Sequence, residues 1–193
     1  MATPMVLAVE GGSFSKKAGG HAPMAMLLAE GTLPRRLELA FVEVDGLDAT
    51  EVLLGRMASF GQQIDLVLSD SVPIAGFNMI DAKEIRDRTG KPAVFVLPQM
   101  PDAGGVEAAL RKHFPDWERR LGILSAAGVP TPCRLGDGEV YLERRGLEAA
   151  EALRALERLT LFGKVPEPIR LARMAAREGS RLAGAIGRLG SSP

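Results

Sequence analysis

The run Ile64-Asp65-Leu66-Val67-Leu68 is apolar but for one residue and stops at Ser69-Asp70. Such a run, too short for a helix and without polar alternation, predicts a strand buried on both faces, as in a parallel sheet covered on each side by helices. Pro73 and Gly76 then mark a small-residue loop, and a helix is expected from about Met79 to Thr89, closed by Gly90. Asp70 therefore sits at the carboxyl end of a buried strand, where open α/β sheets present their sites.

The chain around this strand reads as alternating strands and helices. Met5–Val9 is a short apolar strand ending at Glu10, followed by Gly11 and Gly12 and a basic loop carrying Lys16 and Lys17. Ala22–Ala29 and Arg36–Val44 read as a hairpin turning at Gly31, although the Met and Leu content of the first makes helix a rival. Asp48 opens a helix with the apolar stripe Val52, Leu53, Met57 and Phe60, and Asp48 with Glu51 has the spacing of a capping box. Pro92–Leu97 is a further buried strand. Right-handed crossovers and short connections then predict a mixed five-stranded sheet in the order 3-2-1-4-5, the ribonuclease H-like α/β arrangement. A single domain over residues 1–193 is expected, with a core of about 1–98 and a mainly helical extension over about 99–189. Within that extension Thr131–Leu135 and Glu139–Leu142 read as a small hairpin.

Composition narrows the chemistry. Acidic and basic residues balance at 24 each, so any surface for a polyanion has to be local. One cysteine, Cys133, excludes an internal disulfide and a cysteine-built metal site, and points to a reducing, cytoplasmic setting. Two histidines argue against a histidine-rich zinc site. No run of about 18 apolar residues is present, so no membrane span is expected, and the first residues lack the basic segment of a signal peptide.

The predicted order of strands brings Glu10 and Asp70 to the same end of neighbouring parallel strands. Carboxylates meeting there suit Mg²⁺ or Mn²⁺, which take oxygen ligands and assist hydrolysis of phosphate esters. Glu10 and Asp70 are the first candidate ligands, with Asp48, Glu51 and Asp45 as further candidates. Plain alternatives stand beside these: Asp48 and Glu51 as residues favoured by the helix dipole, Asp45-Gly46 as a turn, and Asp81 as a first-turn acid. Arg170, Arg173, Arg177 and Arg181, at spacings of 3, 4 and 4, fall on one face of a last helix opened by Pro166 and Pro168. With Lys16 and Lys17 they form a candidate surface for a nucleic-acid backbone, or else a solvated face.

Four stretches together resemble the DUF99, or endonuclease dU, family, a relative of endonuclease V. They are VDGLDAT (Val44–Thr50), Asp70 followed by IAGFN (Ile74–Asn78) with Asp81, KHFPDWERR (Lys112–Arg120) and VPEPIRLA (Val165–Ala172). The resemblance implies a ribonuclease H-like core, Mg²⁺ or Mn²⁺, and cleavage of DNA at deaminated bases, notably deoxyuridine. Asp70 matches the family's acid after strand four, and Asp45 and Asp48 match acids after strand three. The first strand departs from the pattern. Glu10-Gly11-Gly12-Ser13-Phe14 stands where the family usually has two adjacent aspartates, a small residue, Pro and Phe. Two functions are therefore carried forward: a metal-dependent endonuclease on DNA with deaminated bases, and a member that binds DNA or RNA without cleaving it. A phosphatase-like enzyme using the same acids is a weaker third reading.

Overall fold

In the computed structural model, which describes residues 3–14, 20–61 and 64–189, the first strand β1 (Met5–Gly11) is the hinge of the architecture. Its side chains are buried on both faces and divide by parity. Leu7 and Val9 enter the core under helices α1 (Ala49–Phe60), α2 (Ala82–Thr89), α3 (Ala103–His113) and α4 (Trp117–Ala126). Val6 and Ala8 face the opposite layer, beneath α5 (Ala149–Leu159) and α6 (Glu167–Leu189). A strand with both faces covered has no place for polar alternation, which is why its sequence reads as a continuous apolar run.

Strands β2 (His21–Glu30) and β3 (Leu33–Glu43) continue antiparallel from β1. They meet through a two-residue turn, Glu30 opposite Leu33, in which Gly31 takes the φ of 58° that a side chain resists. On the other side β4 (Leu66–Ser69) and then β7 (Ala93–Leu97) run parallel to β1. The five expected strands thus stand in the order β3-β2-β1-β4-β7. The sheet does not end there. The hairpin β8 (Thr131–Leu135) and β9 (Gly138–Arg145) adds antiparallel to β7, so the sheet has seven strands, where five were expected. Val140 and Leu142 of β9 share a core with Val94 and Val96 of β7, which is the burial that draws the hairpin onto the sheet.

Two local expectations need correction. The helix expected from about Met79 begins at Ala82, because Asp81 turns its carboxylate back to accept from the amides of Lys83 and Glu84 and so caps the helix. The loop before it forms a miniature hairpin, β5 (Pro73–Ala75) with β6 (Asn78–Met79). At α1, Asp48 is the N-cap residue by position but makes no capping bond. Asn78 Oδ1 accepts from the Ala49 amide at 3.0 Å. Among the described residues, no helix is long and apolar enough to cross a membrane.

Candidate active site

The pairing of β1 with β4 runs Val6 with Leu66, Leu7 with Val67 and Ala8 with Leu68, an offset of sixty. Continued two residues further, the same register sets Glu10 beside Asp70. Both have the parity of the α6 face, with Val6, Ala8, Leu66 and Leu68. The Asp70 amide donates to Glu10 Oε1 at 2.9 Å. Arg173, half-buried on α6, reaches both acids: Nη2 lies 2.5 Å from Asp70 Oδ2 and Nε 3.7 Å from Glu10 Oε2.

Glu10 is 3% exposed. Burial, reinforced by the nearby negative charge of Asp70, holds its carboxyl well above the usual range, and the Asp70 amide and Arg173 only partly oppose this. The pair therefore strains to carry two negative charges at once, and cationic company relieves the strain.

Two glycines make room for the site. A Cβ on Gly11 would lie 2.1 Å from the carbonyl oxygen of Ile74, in the β5–β6 hairpin. A Cβ on Gly12 would meet Ala176 O of α6 at 2.6 Å and Pro23 Cγ at 2.6 Å. The strand end is thus clasped by the hairpin on one side and α6 on the other. An acidic side chain at position 11 has no space, which gives the physical reason for the departure in the first strand. Between the clasping elements opens a cleft of about 560 Å³ lined by Glu10, Asp70, Ile74, Arg173, Arg177 and Arg181, among others. Arg181 is paired with Glu178 at 2.6 Å, and Arg177 has no ion pair among the described residues. Three guanidinium groups, one of them paired with Glu178, line the cleft beside the two carboxylates, and the unpaired charge of Arg177 suits an anionic ligand.

The remaining candidates divide. Arg170 turns away to Glu167 and stacks its guanidinium 3.8 Å from the Phe162 ring, apart from the cleft. Lys16 and Lys17 lie outside the described residues. Asp45, Asp48 and Glu51 do not join Glu10 and Asp70: among the described residues no three His, Cys, Asp or Glu side chains lie close enough together to hold a metal ion. Asp45, at a φ of 61°, accepts from the Phe77 amide at 2.8 Å. Asp48 accepts from the Glu43 amide and from Asn78 Nδ2. Glu51, exposed on α1, pairs with Arg88 of α2, so the capping box expected with Asp48 is absent. What sequence reasoning missed is Arg173 as the partner of both acids. Its signal was the arginine spacing, which gives a helix face but not what that face meets.

The donor set suits a hard divalent cation. Mg²⁺ and Mn²⁺ are held in many phosphate-processing sites by one or two carboxylates, with water and substrate oxygens supplying the rest. Glu10 and Asp70 offer two carboxylates at one strand end, both in contact with Arg173.

Comparison with known proteins agrees with this architecture. A UPF0215 protein of Thermococcus gammatolerans is 38% identical over 137 residues, spanning 70% of this chain and 69% of its own length. A protein of unknown function from Archaeoglobus fulgidus superposes with a TM-score of 0.79 at 26% identity, over 90% of this chain and 96% of the other. Endonuclease V of Ciona intestinalis, solved with a 24-mer DNA containing an inosine followed by a ribo-adenosine, superposes with a TM-score of 0.60 at 10% identity. It covers 93% of this chain and 87% of the other, a likeness of fold. The endonuclease dU family model matches residues 4–180, and the chain belongs to the endonuclease dU family.

Proposed function

We propose that the protein is a divalent-metal-dependent endonuclease that hydrolyses phosphodiester bonds in DNA containing deaminated bases such as deoxyuridine. The observation that carries this reading is the meeting of Glu10, Asp70 and Arg173 at the ends of adjacent parallel strands, inside a cleft lined by further arginines. Family membership and the endonuclease V fold support it.

Glu10 and Asp70 would hold Mg²⁺ or Mn²⁺. Such an ion supplies Lewis-acid polarisation of a phosphoryl oxygen and a hydroxide nucleophile near neutral pH. The chain's own side chains do the rest. Arg177 and Arg181 face the cleft and suit flanking phosphates, which fix the register of a strand without reading its bases. Arg173, which contacts Asp70 and Glu10, would supply positive charge to a phosphate held beside the two acids. Gly11 and Gly12 let the β5–β6 hairpin and α6 close against the strand end and so shape the walls of the cleft.

A uracil-containing duplex incubated with the protein and Mn²⁺, beside the same duplex with thymine, tests the reading. Nicking confined to the uracil strand, lost on chelation and in Asp70→Asn, is expected. Absence of nicking by well-folded protein, or nicking indifferent to Asp70→Asn, would contradict it. A second reading has one observation in its favour: Ile74 fills the space of a second acid, leaving two carboxylates already bridged by an arginine. On that reading the protein retains DNA or RNA without cutting it. Retention that survives chelation, falls steeply with salt and produces no nick distinguishes it.

A further inference from the structure

A smaller niche adjoins the cleft and shares Asp70 and Arg173 with it. Its volume is about 120 Å³, against about 560 Å³ for the cleft. Pockets for drug-sized ligands run to about 300–1,000 Å³, so this one suits a single small ring. Val96 of β7, Val140 of β9 and Ile169 of α6 are buried and line it, with Val165 and Pro166 from the entry to α6. A phosphate would gain little there, because apolar walls strip an anion of water and return few hydrogen bonds. One charged group is built into these walls. Lys164 donates from Nζ to Pro98 O at 3.2 Å, just past the end of β7, and to Glu139 O at 3.0 Å, near the start of β9. Its stem lies across the β8–β9 turn, where a Cβ on Gly138 would stand 2.7 Å from Lys164 Cδ and 3.2 Å from its Cβ. A Cβ on Gly136 would collide with Gly163 O, so glycine at both places lets the turn close on this segment. The ammonium is thus held in place with three protons, two carbonyl acceptors and, among the described residues, no carboxylate partner. One donor is left over.

We propose, resting on the reading of the cleft as a site for DNA with deaminated bases, that this niche receives the uracil ring and that Lys164 reads its O4. Deamination of cytosine replaces an exocyclic amine, a donor, with a keto oxygen, an acceptor. An ammonium carries donors only. Lys164 therefore completes a hydrogen bond to uracil O4, whereas the amine of cytosine meets it donor to donor. Thymine offers the same oxygen, but its C5 methyl needs added room in a niche of this size. The apolar side chains cover the faces of the ring, as in other sites that hold a base drawn out of its stack. The phosphates stay outside, on the arginines of the cleft. Lys164 is thus a specificity-determining residue, apart from the acids that would hold the metal.

Equilibrium binding of fluorescein-labelled single strands to the full chain tests this, at low salt and with chelator present so that nothing is cut. Single strands avoid the cost of drawing a base out of a duplex. The strands are runs of adenine that differ at one central position: uracil, cytosine, thymine or an abasic tetrahydrofuran. The wild type is expected to hold the uracil strand about tenfold more tightly than the other three, the scale of one hydrogen bond to a charged group. Lys164→Met removes the donor and Val165→Phe fills the niche, and each is expected to bring that ratio to about one. A purely structural role for Lys164 would weaken all four strands alike and leave the ratio as it was. Uracil and cytosine strands held equally by the wild type, or no strand held, overturns the inference, and so does a preference that survives in either folded variant. Selective binding without nicking in Mn²⁺ keeps the niche and removes the nuclease reading. Nicking that stays selective for uracil over cytosine in Lys164→Met does the reverse.

Discussion

Two acid-bearing regions of this protein use the same residue types to opposite ends. At the mouth of β1 and β4, Glu10 and Asp70 face each other with few backbone donors. They depend on an arginine one hundred and three residues away in sequence from Asp70. In the segment after β3 the donors are fixed and uncharged: Asp45 accepts from the Phe77 amide, and Asp48 from the Glu43 amide and the Asn78 side chain. Nearly buried Arg120 completes this second region. It donates to Gly46 O and Phe77 O, pairs with Asp116 and lies over the Phe114 ring. A carboxylate engaged by fixed, uncharged donors serves as a structural strut. One left to share a mobile cation is available for chemistry. The contrast also explains why three of the four family-like stretches contain so few cleft residues. VDGLDAT, IAGFN and KHFPDWERR knit together the clamp that holds the β5–β6 hairpin against Gly11, and the hairpin in turn shapes the cleft.

The sharpest way to break this contrast is to exchange one acid from each region. Asp70→Asn keeps the shape and removes the charge, and nicking of uracil-containing duplex is expected to fall on the order of a hundredfold or more. Asp48→Asn is expected to nick at nearly the wild-type rate per folded molecule. A reversal of these two outcomes would move the site to the β3 loop. The next effect in size concerns the clamp. Arg120→Ala removes a nearly buried charge with three acceptors, and urea denaturation should reveal a loss of about 3 kcal/mol. Unchanged stability would mean that the clamp is dispensable.

A subtler effect concerns pH. The Glu10 carboxyl is held well above 4.5 in the folded state by burial and by Asp70. Its contribution to stability is therefore complete below about pH 4.5 and is lost as pH rises through the raised value. Glu10→Gln, measured with chelator present, should melt at the wild-type temperature in acid and above it in alkali. Equal melting at alkaline pH would show that the pair is not electrostatically strained. Last, Glu51→Gln should change neither nicking nor stability measurably, since its partner Arg88 also bonds Glu84 and both are solvated.

How far the sequence was legible follows from the range of each contact. The apolar runs of β1, β4 and β7, the glycine turn at Gly31 and the offset joining Glu10 to Asp70 are written in local pattern, and strand order follows from short connections. The capping of α1 is not legible, because the donor-matching group is Asn78, twenty-nine residues beyond Ala49. Nor is the attachment of β9 to β7, which depends on apolar side chains meeting across the sheet rather than on any signal within the hairpin. Glu51 carried the spacing of a capping box, and Arg88 on the neighbouring helix outcompeted it. In the candidate site the meeting of Glu10 with Asp70 was legible and their contact with Arg173 was not, since periodicity places a side chain on a face without saying what lies opposite.

The central claim is that Glu10 and Asp70, and not the acids after β3, are the cation-binding pair. Titration of the protein with Mn²⁺, followed by the loss of free-ion electron paramagnetic signal, measures it without any substrate. The account predicts saturable binding that is abolished in Asp70→Asn and Glu10→Gln and retained in Asp45→Asn and Asp48→Asn. Binding unaffected by Asp70→Asn, or lost with Asp48→Asn while the protein remains folded, would contradict it.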